Sequence, residues 1–340
     1  MTGGAPLPAH PHTMGRMHTP LALIDVTAGT VRTARLEDAQ FPVEDLAIHR
    51  GEGIFETVLV SVGPDATAAA STAPATPAAT AAPRPHRIHS EEAHFERFRQ
   101  SAAMLELPDP PRALFDEAVA AVIDQVVAGL DDSVTEFSVR YALSRGLDAH
   151  ADTAAHAAAG TPTGARGWAF PISVTPVQAA QRTDGVRVIT LDRGYDAYLG
   201  ERAPWLLIGA KTLSYAVNQA AARHAKAQGA DEALFVSRDG LVLEGPTANL
   251  VIRRGDALLT PDPRAGLLHG TTQRAAFTGA EAAGHRVRYT DLTVEDVLAA
   301  DGAWLLSSTR TAVPILSLDG RELTVDAPLT AQLHDWIRAA

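Results

Sequence analysis

Leu207-Ile208-Gly209-Ala210-Lys211-Thr212-Leu213-Ser214-Tyr215-Ala216-Val217-Asn218 is the stretch on which the reading of this chain turns. An apolar run delivers one lysine to the mouth of a predicted helix that continues through Gln219-Ala220-Ala221-Ala222-Arg223-His224-Ala225-Lys226. Lysine held among Leu, Ile, Gly and Ala loses hydration of its ammonium, so its pKa falls and the neutral amine becomes a nucleophile toward carbonyl groups. A solvated lysine at a helix start fits the same letters, so the neighbouring segments have to decide.

Downstream, Glu232–Val236, the turn Arg238-Asp239-Gly240 and Leu241–Gly245 read as a hairpin, with the carboxylate of Glu244 at the end of its second arm. Thr247–Ile252 and Ala257–Thr260 read as the next hairpin. Gly266-Leu267-Leu268-His269-Gly270-Thr271-Thr272 then feeds a helix, whose first amides and two hydroxyls would seat an anion or serve as a simple cap. Trp304–Thr309 ends a further strand, and a last hairpin and helix follow.

Upstream, Leu21–Val26 and a strand near Val31 open the ordered chain. His49-Arg50-Gly51-Glu52-Gly53-Ile54-Phe55-Glu56-Thr57-Val58-Leu59-Val60 places two glycines before a β-branched run, where backbone approaches something closely or a strand bulges. Ser90 is the expected cap of a helix with Glu91 and Glu92 in its first turn and a core stripe of Phe95, Phe98, Ala102 and Leu105. Arg97 and Arg99 fall on its other faces. Leu114–Leu130 is a second amphipathic helix, Thr135–Gly146 a strand, Ala169–Val174 another, and Val186–Thr190 a third. This is an α/β (α+β) pattern, with a boundary near Pro176 dividing 21–175 from 176–340. Residues 63–85 and 148–167, rich in Ala, Pro, Thr and Gly, are expected to be flexible inserts in the first half, and 1–20 a disordered leader.

Composition excludes several function classes. With 29 basic and 40 acidic residues the net charge is −11, which disfavours nucleic acid and anionic membranes. No cysteine is available for disulfides, thiolate metal sites or thiol nucleophiles. Thirteen histidines are scattered without a helical HxxxH pair, so no metal is expected. No run of about 18 apolar residues offers a membrane span, and the segment Met1 to His18 lacks the apolar core of a secretory signal, giving a cytoplasmic expectation.

A lysine in apolar surroundings, a carboxylate at a strand end and a hydroxyl-lined helix N-terminus, with no Rossmann or P-loop fingerprint, are the parts pyridoxal phosphate requires. The segments RGEGIFETVLV, HFERFRQSAAMLEL, GAKTLSYAVNQAA, DEALFVSRDGLVLEGPTANLVI, TPDPRAGLLHGTTQRA and ADGAWLLSSTRTAVPI, in this order, resemble the branched-chain aminotransferase-like, fold-type IV family of pyridoxal-phosphate enzymes. Within it the chain is most similar to the 4-amino-4-deoxychorismate lyases, the actinobacterial ones in particular. The resemblance implies a small N-terminal α/β domain, a larger C-terminal pseudo-barrel domain and a homodimer whose second subunit closes the site. It also implies the site residues. Lys211 is the Schiff-base lysine, Glu244 faces the pyridine nitrogen, and Asn249 supports the Glu244 loop. Arg97, Thr271, Thr272 and Thr309 hold the phosphate, Thr309 alternatively facing the substrate.

The departures bear on substrate choice. D-amino-acid transaminases of the family carry Arg-x-His after an Arg-Gly, where this chain has Leu147-Asp148-Ala149-His150, which argues against that branch. The enterobacterial lyases' arginine at the same place is missing or displaced to Arg166, so Arg140, Arg145 or Arg310 is left to bind a substrate carboxylate. Branched-chain enzymes have Gly-Asn-Tyr after the lysine, where Thr212-Leu213-Ser214-Tyr215 stands here. The expected reaction is therefore the lysis of aminodeoxychorismate, with amino-acid transamination as the alternative.

Overall fold

The structure, a computed structural model, describes residues 19–38, 40–63, 84–158 and 163–340. Two curled sheets organise it, the first antiparallel and the second mixed. The first holds β1 (Pro20–Asp25), β2 (Thr30–Arg35), β3 (Gly53–Val62), β4 (His86–Ile88), β5 (Glu136–Ser144) and β6 (Arg166–Ser173), in the order β2-β1-β6-β5-β3-β4. All its neighbours are antiparallel. Strand β3 is a nearly unbroken run of Ile, Phe, Val and Leu because both its faces are buried. Helix α1 (Leu46–His49) precedes it, and α2 (Glu91–Met104) and α3 (Arg112–Ala128) cover the sheet. Phe115, Ala118, Val119, Val122, Ile123 and Val126 give α3 a buried stripe at helical spacing, packed with Phe95, Phe98, Ala102 and Leu105.

Ser90 stands one residue before α2, but its φ of 53° turns the backbone left-handed and its hydroxyl makes no capping bond. Its amide donates instead to the carbonyl of Ala340. The predicted insert 148–167 is also corrected at both ends. Thr153–Ala158 forms a short helix, α4, and Arg166 and Gly167 already belong to β6. Partners outside the segment, rather than its composition, order these ends. His156 pairs with Glu44 at 2.5 Å and Arg166 with the buried Asp45 at 3.0 Å. The leader and the other insert fall, for 1–18 and 64–83, outside the described residues. The hairpin that brackets the latter is present, Val60 pairing with Ile88.

Helix α5 (Pro176–Asp184), entered through a Thr175–Gln178 capping box, leads to the second sheet. Its strands are β7 (Val186–Asp192), β8 (Glu232–Val236), β9 (Asn249–Arg254), β10 (Ala257–Thr260), β11 (Arg286–Tyr289), β12 (Gly302–Ser307), β13 (Thr311–Leu318) and β14 (Arg321–Glu322). They run β11-β10-β9-β12-β13-β7-β8, with β14 on the flank of β13. Helices α6 (Leu199–Arg202), α7 (Ala216–Ala227), α8 (Thr271–Ala282), α9 (Val294–Leu298) and α10 (Ala327–Ala339) complete the chain. The central strands are buried on both faces. Leu250, Ile252 and Leu305 pack toward Leu292 and Val297, while Val251, Trp304 and Leu306 pack toward Phe277, Leu329 and Leu333 of α8 and α10. Among the described residues no helix is long and apolar enough to cross a membrane. We propose that the two sheets correspond to two domains divided near Pro176.

Candidate active site

Lys211 does not open a helix. It lies in an extended segment laid against the start of β3, five residues before α7 begins at Ala216. The Phe55 amide donates to the Lys211 carbonyl (3.1 Å), the Leu213 amide to the Gly53 carbonyl (2.8 Å), and the Lys211 amide to the hydroxyl of Ser101 on α2 (3.1 Å). The two glycines before β3 are what permit this approach. A Cβ on Gly51 would lie 2.6 Å from the Ser214 hydroxyl, and one on Gly53 would lie 2.7 Å from the Leu143 carbonyl oxygen and from a methyl of Leu213. Lysine is thus fixed by strand-like backbone pairing, a more rigid mount than a helix start.

The side chain reaches over the Phe55 ring, its Nζ 4.5 Å from the centroid. Burial, reinforced by the charge of Arg97, pulls the amine from 10.5 down to about 8. Glu244 is shifted the other way, pushed by burial up to about 7. Its Oε1 accepts from the Leu268 amide at 3.2 Å and its Oε2 from the Asn249 amide group at 3.1 Å, while Asn249 also donates to the Leu268 carbonyl at 2.8 Å. Tyr215 and Asn218 secure the same loop by donating to the Pro246 carbonyl at 2.8 and 2.7 Å. Gly270 leaves the space that Asn249 occupies, since a Cβ there would lie 2.0 Å from Asn249 Oδ1.

Arg97, off the apolar stripe of its helix by periodicity, is nevertheless buried. Its Nε and one terminal nitrogen hold Glu56 at 2.7 and 2.8 Å, and its other terminal nitrogen donates to the His269 carbonyl at 3.2 Å. His94, one turn earlier on α2, puts Nδ1 2.7 Å from Glu56 and Nε2 3.1 Å from the Thr271 hydroxyl and 3.3 Å from that of Ser308. Burial alone would raise the Glu56 carboxyl, but Arg97 and His94 together hold it well below the ordinary range. Glu56, His94 and Ser308 escaped the sequence reading. One signal was available for Glu56: a carboxylate inside an apolar strand has to be paired.

A cavity of about 490 Å³ brings the predicted residues together, lined by Arg97, Arg140, Lys211, Glu244, Asn249, Thr271, Thr272, Thr309 and Arg310. Its arginines differ in what they hold. Arg310 is buried against Glu232 at 2.8 Å, so its charge is already answered. Arg140 stacks 4.7 Å over Phe55 and donates to the Thr57 hydroxyl at 3.1 Å, with no carboxylate partner among the described residues. Arg145 pairs with Glu52 at 2.5 Å and Arg166 with Asp45, and neither lines this cavity. A larger cleft of about 810 Å³ on the far side of the Lys211 segment shares Glu244, Tyr215 and Leu268 as its wall but not Thr271, Thr272 or Thr309.

Three comparisons place this arrangement. The family described as Amino-transferase class IV matches residues 80–318. A bifunctional aminodeoxychorismate lyase / D-amino acid transaminase of Mycobacterium tuberculosis is 39% identical over 304 residues, 86% of this chain and 91% of that protein. Among solved structures, a fold IV-transaminase from Curtobacterium pusillum is similar with a TM-score of 0.79 at 36% identity, covering 95% of this chain and 99% of its own. A hypothetical aminotransferase from Mycobacterium tuberculosis in its pyridoxal-phosphate-bound form gives 0.77 at 34% identity, covering 94% and 99%. The donor set suits that cofactor: an amine of lowered pKa for the aldehyde, a braced carboxylate for a ring nitrogen, and helix amides with buried threonines for a phosphate. The chain is a fold-type IV enzyme, takes pyridoxal phosphate as its cofactor, and belongs to the class IV aminotransferase family.

Proposed function

We propose that the protein is an aminodeoxychorismate lyase that splits 4-amino-4-deoxychorismate into 4-aminobenzoate and pyruvate, acting as a cytoplasmic homodimer. The observation that carries this reading is the position of Arg140, a half-buried guanidinium without a carboxylate partner among the described residues, stacked on the same Phe55 ring as Lys211 Nζ. It seats a substrate carboxylate within reach of the reacting amine. Of the other two candidate arginines, Arg310 is answered by Glu232 and Arg145 by Glu52.

We assign Lys211 as the residue that bonds the cofactor, Glu244 as the partner of its ring nitrogen with Asn249 as brace, and Arg97, Thr271, Thr272 and Thr309 as the phosphate seat. When bound, the cofactor supplies an electron sink for the carbon that carries the substrate's amine. Glu244 would keep a proton on the cofactor's ring nitrogen, and Lys211 Nζ, freed when the substrate's amine takes its place on the cofactor, would remove the proton from that substrate carbon. The bond from ring carbon to enolpyruvyl oxygen then breaks and the ring becomes aromatic. Lys211 returns the proton to the methylene of the departing enolpyruvate, which leaves as pyruvate.

Amino transfer would use the same residues: Lys211 would move the same proton without returning it to an enolpyruvate, and the cofactor would supply the acceptor for the amine. The bifunctional name of the 39% identical relative favours keeping that second reading, D-amino acids included, although the Arg-x-His motif is missing here. Incubation with aminodeoxychorismate is expected to yield pyruvate and 4-aminobenzoate in equal amounts. Keto-acid formation that depends on an amino donor, with neither product formed, would overturn the lyase reading in favour of the second.

Cofactor capture should report the lowered amine. Below pH 8 Lys211 holds a proton and has no lone pair to offer, so the rate of pyridoxal phosphate uptake by cofactor-free protein should climb with pH and level near 8. At pH 7 an amine at about 8 is neutral about 300-fold more often than one at 10.5. An uptake rate still climbing past pH 10, followed by absorbance, would mean that the cavity does not depress the amine.

A further inference from the structure

The phosphate seat assigned to Arg97, Thr271, Thr272 and Thr309 has an unusual charge balance, and any role for His94 beside it rests on that assignment. Arg97 commits two nitrogens to Glu56, so the pair is neutral as a unit. A phosphate dianion entering there gains hydrogen bonds from Arg97 but little net charge. His94 is a titratable group set between that pair and the cavity wall. It is buried, with Nδ1 on Glu56 and Nε2 toward the hydroxyls of Thr271 and Ser308, both of which line the cavity.

Donor bookkeeping gives this contact a consequence. A neutral ring that donates from Nδ1 to Glu56 leaves Nε2 as an acceptor, so the hydroxyl hydrogen of Thr271 or Ser308 turns away from the cavity to reach it. A protonated ring donates from both nitrogens. Nε2–H then points into a hydroxyl oxygen, and that hydroxyl's own hydrogen is released toward the cavity. One proton therefore adds a positive charge and a hydrogen-bond donor to the seat at the same time.

We propose that His94 is a positioning residue that takes up a proton when an anion docks at the seat, turning its hydroxyl partners toward the anion. The groups that face it are Glu56 from β3, Arg97 from its own helix, Lys211 from the segment beside β3, Thr271 from α8 and Ser308 from the turn after β12. Burial opposes the charged ring, as do Arg97 and Lys211, while Glu56 favours it; the ring's pKa in the anion-free protein lies below its ordinary value. An arriving dianion opposes the first set and joins Glu56.

Sulfate is the probe, because it stays a dianion at neutral pH and cannot itself accept the proton. Calorimetric titration of cofactor-free protein with sulfate at pH 7, in buffers of different ionisation enthalpy, is expected to show net proton uptake. The sulfate Kd should rise with pH by up to about tenfold per unit wherever one proton is linked. Lys211 and Glu244 also titrate near neutrality, so Lys211→Met and Glu244→Gln are the controls; both should keep the uptake, and His94→Gln should bind sulfate more weakly and without it. Sulfate binding by the wild type with no proton taken up overturns the role of His94 and leaves the seat intact. Uptake lost in Lys211→Met but kept in His94→Gln overturns it too. Absence of sulfate binding removes the seat itself, and the role of His94 with it. Should His94→Gln fail to fold, nitrogen chemical shifts of the wild-type ring, with and without sulfate, report its charge directly, and an unchanged neutral ring counts against the proposal.

Discussion

Replacing Lys211 with alanine is expected to abolish the attachment of pyridoxal phosphate that borohydride reduction makes permanent, and to lower turnover by roughly 10²–10⁴-fold, the range that a positioned acid–base group supplies. The same substitution should not weaken the fold. Folded Lys211 titrates at about 8 against an ordinary 10.5, so between those values the unfolded chain binds the extra proton, and below pH 8 the folded state bears the cost of holding a buried charge. Removing the amine removes that cost. Cofactor-free Lys211→Ala should therefore melt no lower than cofactor-free wild type at pH 7, while its activity collapses. A small primary amine added to the variant should restore part of the turnover, which a misfolded variant would not allow. Full activity with alanine at this position would end the assignment.

Glu56→Gln is the substitution expected to cost most in stability. Glu56 is fully buried and answers both Arg97 and His94, so neutralising it strands a buried guanidinium. Removing one partner of such a pair costs about 3–5 kcal/mol, to be read as a lower urea midpoint at unchanged slope. The sign of the pH dependence follows from the depressed carboxyl. Its contribution is complete above the ordinary value of 4.5 and is lost as pH falls through the lower folded value. Wild type and variant should converge in stability on acidification, and a gap that stays constant from pH 7 down to the acid transition would show that the ion pair is not its source. Cofactor affinity should drop in parallel, because Arg97 without Glu56 is free to turn out of the position in which it lines the cavity.

The glycines of the Arg50–Gly53 stretch show how far letters alone could go. Two glycines before a β-branched run announce a close approach, and the sequence could not name the partner. That partner is the lysine segment itself, brought from more than 150 positions away to pair with β3. The same limit applied to Arg97. Helical periodicity put it off the core stripe, which is correct for apolar packing, yet Glu56 on a neighbouring strand supplies the countercharge that lets a guanidinium be buried. Periodicity describes one element at a time, whereas burial of a charge is decided by what another element brings to it.

The α/β class and most strand and helix positions were legible in the chain's own letters, as were the lysine and the carboxylate that meet in the cavity and, through the order of the family's segments, its threonines, because each rests on local pattern or on a motif a few residues long. Tertiary structure alone decided the rest. It mounted Lys211 on strand pairing instead of a helix end, ordered Thr153–Ala158 and Arg166 through Glu44 and Asp45, and left Arg140 on Thr57 and the Phe55 ring, without a carboxylate partner among the described residues, while giving Arg310 to Glu232. Each of these outcomes depends on the desolvation and pairing of polar groups distant in sequence. The free energy of such a contact belongs to the two groups brought together, and only the folded chain sets their distance.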